Sequence, residues 1–269
     1  MNVSSWLKRT ATSNNIDRLD AELILACAIG QDRVFLYAHP DYGLSVKEET
    51  DADAMLKRRQ NHEALAYILG KKEFYTREFA VSPDVLIPRP ESEDIINLAK
   101  EIVPKPLKIL DVGTGSGCLA VTLKLEIPEA EVLALDISPE ALEIARQNAK
   151  NLNADVEFRQ SDLCSALKND ERFNLIVANL PYVDKNWEWL SPELQYEPEL
   201  ALYARDGGLE LIKRLIQKVP KHLGEQGKLI LESDLLQHDE LKRYTEQMAP
   251  LRLQKTSGLI QLYSLDFTD

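Results

Sequence analysis

The sequence predicts an α/β protein in which a parallel, doubly wound sheet follows a small helical region. From about residue 107, short apolar runs typical of strands alternate with longer stretches typical of helices. This alternation favours a parallel sheet covered by helices on both faces. Before residue 70, apolar residues instead recur with a helical period. A glycine-rich turn directly after the first predicted strand of the sheet indicates a ligand site at its carboxyl edge.

The composition is that of an acidic globular protein. With 269 residues, 44% of them hydrophobic, the chain can form one large domain or two smaller ones. The formal net charge of −12 argues against a broad contact with nucleic acid, which needs a basic surface. The N-terminus has no apolar signal segment, and no apolar run is long enough to span a membrane. We therefore expect a cytoplasmic protein.

The cysteines and histidines do not suggest a metal site. Cys27, Cys118 and Cys164 are far apart in sequence, and the four histidines show no metal-ligand spacing. We expect reduced thiols, no disulfide and no bound metal.

The first 70 residues are predicted to be helical. One helix carries an apolar face and closes at Gly30, and a second runs from about residue 46 to residue 69 and ends at Gly70. The polar stretch 57–61 in the middle of the second helix is expected to be a solvated face, with a contact to a partner protein as the alternative.

A β-hairpin and a domain junction are predicted next. Residues 71–87 mix aromatic and branched residues with turn formers, which favours a hairpin. Pro88 and Pro90 then stiffen the chain, and Pro90 can open a helix with Glu91 and Glu93 in its first turn. Because no Gly/Ser run is present, the junction is not expected to be a flexible linker.

The predicted sheet has seven strands, and the last two form an antiparallel pair joined at Ser257 and Gly258. The strands are residues 108–112, 131–135, 156–159, 174–178, 228–232, 252–255 and 260–265. Helices are predicted from Cys118 onward and over residues 139–152, 209–223 and 235–248. Ser138 and Pro139 provide an N-cap and a first helical residue for the second of these helices.

The turn after the first strand predicts a nucleotide site. Glycines at Gly113, Gly115 and Gly117 allow the backbone to turn sharply and approach a ligand at a helix N-terminus. A dinucleotide fingerprint would need glycine at position 118, which is Cys118. This spacing disfavours a nicotinamide-dependent dehydrogenase. The alternative for the glycines is a tight turn without a ligand.

Acidic residues follow the next two strands. Asp136 can accept hydrogen bonds from both ribose hydroxyls of an adenosine, and Asp162 can accept from an adenine amino group. Leu163 can pack against the adenine ring. The alternative for Asp136 is a structural acidic residue before the next helix. For Asp162 alone, a ligand contact and a purely structural role are equally consistent with the sequence. The carboxyl ends of successive parallel strands meet at one edge, which strengthens the ligand interpretation.

The fourth strand leads into Asn179, Leu180, Pro181 and Tyr182. The Asn179 side-chain oxygen and the Leu180 backbone carbonyl can accept the two hydrogens of a planar amino group and orient its nitrogen toward an incoming methyl group. Tyr182 offers a flat face to the planar group, and Pro181 fixes the backbone. Because methyl transfer from a sulfonium is an in-line displacement, positioning is the main requirement, and neither a metal nor a strong base is needed. A strand-ending turn is the alternative.

Several segments together resemble the HemK-type release-factor glutamine methyltransferases, and the resemblance covers most of the chain. The most distinctive segment is 85–93, Val-Leu-Ile-Pro-Arg-Pro-Glu-Ser-Glu, with Ser92 where threonine is usual. The other segments are residues 66–70 with 73–75, 111–118, 136–142, and 196–198 with 201–202 and 208–209.

The resemblance implies a fold and a reaction. The fold is the class I S-adenosylmethionine-dependent methyltransferase fold, with a Rossmann-like seven-stranded sheet, a small N-terminal helical domain and a β-hairpin linker. The implied domains are 1–70, a helical substrate-docking domain, 71–90, the linker, and 91–269, the methyltransferase domain. The reaction is N5-methylation of the glutamine in the Gly-Gly-Gln motif of class I peptide chain release factors. S-adenosyl-L-methionine is the methyl donor and S-adenosyl-L-homocysteine the product.

The resemblance also implies residue roles. The residues that it places along the cofactor are Gly113, Thr114, Gly115, Ser116, Gly117, Asp136, Leu163 and Asn179, and residue chemistry adds Asp162. Asn179, Leu180, Pro181 and Tyr182 would hold the glutamine amide, with Asn179, Pro181 and Tyr182 as catalytic residues. The N-terminal domain would dock the release factor, and the enzyme is expected to be a monomer.

The sequence departs from the family pattern at several positions. Leu180 replaces the first proline of the usual Asn-Pro-Pro-Tyr motif, which keeps the backbone carbonyl and loses rigidity. Leu163 stands where some members have an aromatic wall, and residues 232–237 and 255–258 match loosely. Two alternatives therefore stay open: methylation of an exocyclic amine of adenine or cytosine in nucleic acid, and a non-catalytic release-factor-binding module.

Overall fold

A computed structural model describes residues 1–12, 16–102, 107–188 and 190–265. The chain divides into two compact units. The first contains Met1–Lys71 together with Ser191–Tyr196, and the second contains Lys72–Leu190 together with Glu197–Asp269. The first unit is therefore assembled from two separate segments of the chain.

The first unit is helical, as predicted. Its helices are α1 (Val3–Thr12), α2 (Arg18–Ala28), α3 (Arg33–Ala38), α4 (Val46–Gln60) and α5 (Leu65–Leu69). Their apolar faces form one core around Trp6, Ile24 and Leu25, which are fully buried. The indole nitrogen of Trp6 donates to Asp53 Oδ1 over 2.8 Å, so the largest core side chain leaves no unpaired donor.

The prediction of a single helix over residues 46–69 is wrong. Helix α4 ends at Gln60, and His62 adopts a φ of 67°, a left-handed conformation that stops helical hydrogen bonding. Helix α5 starts only after the extended residue Ala64. Residues 57–63 contain no apolar side chain, so the apolar period gave no information across this break.

The polar stretch 57–61 consequently lies at a helix end and not in its middle. Arg59 there donates to Asp20 over 2.6 Å and to Glu193 over 2.7 Å. Tyr196 donates its hydroxyl to the carbonyl of Asn61. These bonds hold the segment 191–196 within the first unit.

The hairpin is shorter than predicted. Strands β1 (Lys71–Phe74) and β2 (Arg77–Ala80) are joined by Tyr75 and Thr76, whose φ angles of 48° and 62° fit the two-residue turn that suits twisted strands. Residues 81–89 form no strand, since Pro83, Pro88 and neighbouring turn residues interrupt the pairing.

The second unit contains the predicted seven-stranded sheet. Its strands are β3 (Lys108–Val112), β4 (Glu131–Asp136), β5 (Glu157–Gln160), β6 (Phe173–Ala178), β7 (Leu223–Glu232), β8 (Leu251–Ser257) and β9 (Ile260–Leu265). Their order is β5-β4-β3-β6-β7-β9-β8, with the first five parallel and β9 antiparallel to both neighbours.

Helices cover both faces of this sheet, which makes it doubly wound. They are α6 (Glu93–Ile102), α7 (Cys118–Glu126), α8 (Pro139–Asn151), α9 (Glu199–Leu202), α10 (Glu210–Lys218) and α11 (His238–Met248). The helices and the sheet enclose two clusters of buried apolar side chains, one on each face of the sheet. The predicted helix 209–223 divides at Val219 into α10 and a 3-10 turn, because Pro220 lacks the N–H that a continuing helix would need.

The parallel pairing brings the carboxyl ends of β3, β4, β6 and β7 to one edge. Asp111 lies beside both Ala134 and Val177, and Ala178 pairs with Leu231. Residues that follow these strands therefore meet there. Within the described ranges, no helix is both long and apolar enough to cross a membrane.

Candidate active site at the carboxyl edge of the sheet

A cavity of about 420 Å³ opens at the carboxyl edge of the sheet, entirely within the second unit. Ten of the residues singled out from the sequence line it: Gly113, Thr114, Gly115, Ser116, Asp136, Asp162, Leu163, Asn179, Leu180 and Pro181. The other two, Gly117 and Tyr182, do not line it within the part of the chain that the structure describes. Residues 83–86, 88 and 89 form a further part of its wall.

The three glycines of the turn have different physical reasons. Gly113 and Gly117 have φ angles of 78° and 79°, which other residues rarely adopt. A Cβ atom at Gly113 would lie 2.7 Å from Leu180 Cδ2, and one at Gly117 would lie 3.0 Å from Ala145 Cβ. At Gly115 a Cβ would meet nothing within 4 Å. The middle glycine thus faces open space, and the outer two allow close packing.

Asp111 supports the turn from below. It is fully buried, and the Thr114 hydroxyl donates to its Oδ2 over 2.6 Å. Its Oδ1 makes no hydrogen bond of normal geometry within the described residues. Burial, with a smaller contribution from the charge of Asp136, raises the pKa of Asp111 to about 7, although Thr114 and the backbone of Ala120 favour the ionised form.

Asp136 ends β4 and fixes the turn from the side. Its Oδ2 accepts from the backbone N–H of Gly115 over 2.8 Å, and its Oδ1 accepts from that of Ser138 over 3.0 Å. Burial raises its pKa, and these backbone donors oppose the rise. A carboxylate has about four lone-pair sites, so Asp136 can still accept from a ligand in the cavity.

Asp162 has a partner that the sequence did not reveal. Its Oδ2 accepts from Arg214 of α10 over 2.7 Å, and Arg214 also lines the cavity. The next residue, Leu163, is buried with a φ of 50° and accepts at its carbonyl from Ser161 Oγ. The ion pair leaves one oxygen of Asp162 for another donor.

The segment after β6 is held at several points. The Asn179 side-chain nitrogen donates to Ser92 Oγ over 2.9 Å, and Leu180 packs its buried side chain against the glycine turn. The backbone carbonyl of Tyr182 accepts from the Gln237 side chain over 2.8 Å. The Tyr182 hydroxyl donates to Glu232 over 3.3 Å. The segment is therefore fixed by side chains that come from three other parts of the chain.

The wall formed by residues 85–89 is held by Glu197, which is 5% exposed. One carboxylate oxygen of Glu197 accepts from the backbone N–H of Ile87 over 3.1 Å, and the other accepts from Arg89. Two segments that carry the sequence resemblance, one around residue 88 and the other at 196–198, thus meet in the fold. The two segments occur together in the sequence because Glu197 of one bonds to Ile87 and Arg89 of the other.

Sequence reasoning missed Glu232, Arg89, Arg214 and Gln237 as parts of the site. The signal for Glu232 was present, because an acidic residue at the end of a parallel strand was the argument already applied to Asp136. Arg214 and Gln237 lie on elements whose contact with the site depends on tertiary packing. Their sequence positions carried no such signal.

The residues described contain no group of three or more His, Cys, Asp or Glu side chains that could hold a metal ion. The site consists instead of a glycine turn, two strand-end carboxylates and a carboxamide.

The order of the sheet and this site define an α/β methyltransferase. Residues 105–254 match the family model described as "Methyltransferase domain", and residues 4–70 match "PrmC N-terminal domain". Together the two models cover most of the sequence. The chain belongs to the release factor glutamine methyltransferase family, as the resemblance predicted.

Curated relatives carry this assignment. A release factor glutamine methyltransferase of Koribacter versatilis is 44% identical over 80% of this chain and 78% of the relative. Those of Neisseria gonorrhoeae and Escherichia coli K12 are 38% and 34% identical, over 86% and 90% of this chain and 84% and 90% of the relatives.

Solved structures agree on the fold. A methyltransferase from Pyrococcus furiosus superposes with a TM-score of 0.55 at 18% identity, over 80% of this chain and 98% of the other. The Thermus thermophilus 16S rRNA N2 G1207 methyltransferase, solved with AdoMet and guanosine, gives 0.54 at 17% identity, over 72% of this chain and 49% of the other. The predicted class I methyltransferase fold is confirmed.

Proposed function

We propose that this protein transfers a methyl group from S-adenosyl-L-methionine to the side-chain amide nitrogen of the glutamine in the Gly-Gly-Gln motif of class I release factors. The observation that carries the proposal is the Asn179 carboxamide, whose nitrogen is committed to Ser92 at the edge of the cavity. Relatives at 34–44% identity carry the name of this activity over most of their length.

The cavity fits the cofactor. Its volume of about 420 Å³ lies within the range of small-molecule sites, and the open space at Gly115 allows a ligand to approach the backbone closely. Ser116 lines the cavity, and its buried hydroxyl, near the Cys118 thiol, has no partner of normal hydrogen-bond geometry in the described part of the chain. The strand-end carboxylate of Asp136 suits the ribose hydroxyls.

We assign the cofactor to Gly113, Thr114, Gly115, Ser116, Gly117, Asp136, Asp162, Leu163 and Asn179. Gly117 would act through the shape of the turn, since it does not line the cavity. Asp162 would use the oxygen that Arg214 leaves free. When bound, the cofactor supplies an electrophilic methyl group on a sulfonium.

The substrate amide would be held by two acceptors. Asn179 Oδ1 and the Leu180 carbonyl can each accept one hydrogen of the glutamine –NH₂ group, which orients the nitrogen and favours a localised lone pair. Positioning of this kind can account for much of the rate of a bimolecular transfer. Leucine at position 180 retains the required carbonyl.

Although Tyr182 does not itself line the cavity, its ring would form a wall beside the amide once the substrate is bound, and its hydroxyl would not act as a base. Burial first, then the nearby charge of Glu232, raises the pKa of Tyr182, so its phenol stays neutral at physiological pH. Pro181 lacks an N–H and so cannot compete for the substrate carbonyl. The amide loses its extra proton readily once it is alkylated, and no strong base is needed.

The remaining assignments concern the whole protein. We propose a docking domain over 1–70, a linker over 71–90 and a catalytic domain over 91–269, whose last four residues lie outside the described ranges. We also propose a cytoplasmic monomer that does not bind nucleic acid, supported by the net charge of −12. Light scattering of the purified protein tests the monomer.

The decisive experiment is a methylation assay. Purified protein with S-adenosyl-L-methionine should add one methyl group to the Gly-Gly-Gln glutamine of a release factor, detected by mass spectrometry of the peptide. A release factor with Gly-Gly-Ala should receive none. Asn179→Ala should lower turnover by about 10²–10³-fold, as does loss of one preorganised polar contact elsewhere.

DNA and RNA form further arms of the same assay. Methylation of a nucleic-acid base with an unmodified release factor would overturn the proposal in favour of an exocyclic-amine methyltransferase. Failure to bind the cofactor in calorimetry, with retained binding of the release factor, would indicate a non-catalytic module.

A further inference from the structure

A buried polar chain lies behind the substrate-facing carboxamide. The Asn179 nitrogen donates to Ser92 Oγ over 2.9 Å, Ser92 Oγ donates to Glu232 Oε2 over 2.6 Å, and the Tyr182 hydroxyl donates to Glu232 Oε1 over 3.3 Å. Ser92 and Glu232 are 2% and 1% exposed. Ser92 belongs to a 3-10 turn, Pro90–Ser92, that opens α6, and Glu232 ends β7.

The fold explains why these groups meet. Ala178 pairs with Leu231 in the parallel β6–β7 ladder, so the residues that follow, Asn179 and Glu232, leave the sheet side by side. The 3-10 turn then places Ser92 between them. The arrangement follows from strand register and does not depend on a mobile loop.

With Glu232 ionised, the hydrogen bonds among Asn179, Ser92 and Glu232 have only one consistent direction. Burial raises the pKa of Glu232, while the hydrogen bonds from Ser92 and Tyr182 favour its ionised form. In that form the carboxylate can only accept, so the Ser92 hydroxyl gives its hydrogen to Glu232. The 2.6 Å separation is typical of a hydroxyl bound to a charged oxygen. With its hydrogen committed, Ser92 Oγ can offer Asn179 only a lone pair, and Asn179 must turn its NH₂ toward it. The carboxamide oxygen is then left for the cavity.

We propose that Glu232 and Ser92 are positioning residues that fix the orientation of the Asn179 carboxamide, so that its oxygen and not its nitrogen faces the substrate amide. The proposal rests on the proposed function for the identity of that substrate. Without this direction, Asn179 could present either end. A carboxamide that presents NH₂ would repel the –NH₂ group of glutamine.

Activity measurements form the first test. Ser92→Ala removes the acceptor, and Glu232→Gln introduces a group that can donate or accept, so each should lower kcat by about tenfold or more. Ser92→Thr keeps the hydroxyl and should retain kcat within about threefold. Glu91→Gln is the matched control, because it removes an exposed charge near Glu232 without touching the chain of hydrogen bonds. It should leave kcat unchanged.

A structural role would move other quantities. If Ser92 and Glu232 only join α6 to β7, the variants should lose thermal stability and cofactor affinity together with kcat. Asn179 is one of nine residues assigned to the cofactor, so we expect the dissociation constant for S-adenosyl-L-methionine, measured by calorimetry, to rise by much less than kcat falls in folded variants. A parallel loss of cofactor affinity would overturn the proposal.

Nuclear magnetic resonance gives a test that needs neither cofactor nor release factor. The Asn179 side-chain NH₂ signal, identified by its loss in Asn179→Ala, should exchange slowly with solvent in the wild type and Ser92→Thr. In Ser92→Ala and Glu232→Gln it should exchange much faster. Equal exchange in all four proteins would overturn the proposal.

The two proposals fail in different ways. A wild-type protein that shows the protected Asn179 signal but methylates no release factor would disprove the proposed function and leave the orientation intact. A wild-type protein that methylates the release factor, with Ser92→Ala and Glu232→Gln equally active, would disprove the positioning role alone.

Discussion

Gly207 and Gly208 show how differently two adjacent residues of the same type can matter. Both have left-handed φ angles, 62° and 87°. A Cβ at Gly207 would meet nothing within 4 Å, whereas one at Gly208 would lie 1.9 Å from the carbonyl oxygen of Tyr182. Gly208 therefore permits the close approach of the Tyr182 backbone, whereas Gly207 forms the turn and its carbonyl accepts from Gln237 over 2.8 Å.

We predict that Gly208→Ala lowers kcat by at least tenfold, because the Tyr182 backbone must move away from its bond with Gln237. Gly207→Ala is the control. It should cost about 1 kcal/mol of stability for the strained φ and leave kcat nearly unchanged. Steady-state kinetics and denaturant unfolding of both variants check this. Equal kcat values in the two variants would contradict it.

Asp111 gives a pH-dependent prediction at the same scale. Its pKa is raised from 3.8 to about 7 in the folded state. Between these values the folded state holds a proton that the unfolded state has lost, so this group makes stability fall as pH rises through that window. The contribution is intact below pH 3.8 and lost above about pH 7.

Asp111→Asn mimics the protonated acid and should remove this dependence. We expect the variant to gain unfolding free energy relative to wild type at about pH 8, and to gain little at about pH 4. Urea unfolding of the cofactor-free proteins at both pH values measures it. Asp155→Asn, at an exposed site, is the control for the substitution itself. A gain for Asp111→Asn that is larger at the acidic pH would refute the prediction.

At the scale of elements, local sequence signals predicted where most helices and strands begin but did not predict where a helix is interrupted. Ser138 caps α8 by accepting from the Ala141 N–H over 3.1 Å, with Pro139 in the first turn, as the sequence indicated. The break at His62 was missed because a left-handed non-glycine residue has no reliable sequence signature. The division at Val219 could have been found from Pro220.

Helix α4 has a reciprocal cap whose value can be measured. Ser45 Oγ accepts from the Glu48 N–H over 3.2 Å, and Glu48 accepts from the Ser45 N–H over 2.7 Å. We predict that Ser45→Ala costs about 1 kcal/mol of unfolding free energy. Ser5→Ala, at an exposed position within α1, should cost almost nothing. Chemical denaturation checks both, and equal effects would argue against the cap.

At the scale of the whole molecule, the alternation of strands and helices was sufficient to predict the doubly wound sheet. Strand-end chemistry was sufficient for ten of the thirty residues that line the cavity, because parallel strands bring their carboxyl ends together. The ion pair between Asp162 and Arg214 joins residues 52 positions apart, and the bond from Ser92 to Glu232 joins residues 140 apart. No pattern in a single sequence specifies such pairs.

The discontinuous first unit leads to a prediction about chimeras with relatives. The segment 191–196 packs with Met1–Lys71, through Arg59 to Glu193 and Tyr196 to Asn61. Exchanging only residues 1–71 for those of a relative would bring in a foreign partner for this segment. We predict that such a chimera unfolds at a lower temperature than one in which 191–196 is exchanged as well. Equal melting temperatures would contradict this.

Evolution faces the same constraint as the protein engineer. Residues 191–196 are separated from the first 71 by more than a hundred positions of the second unit. Glu193 and Tyr196 in this segment nevertheless bond to Arg59 and to the carbonyl of Asn61. A recombination event with a single crossover near residue 71 would separate partners that were selected together. The two units should therefore be inherited together. Substitutions in Met1–Lys71 should be accompanied by substitutions in Ser191–Tyr196 across relatives.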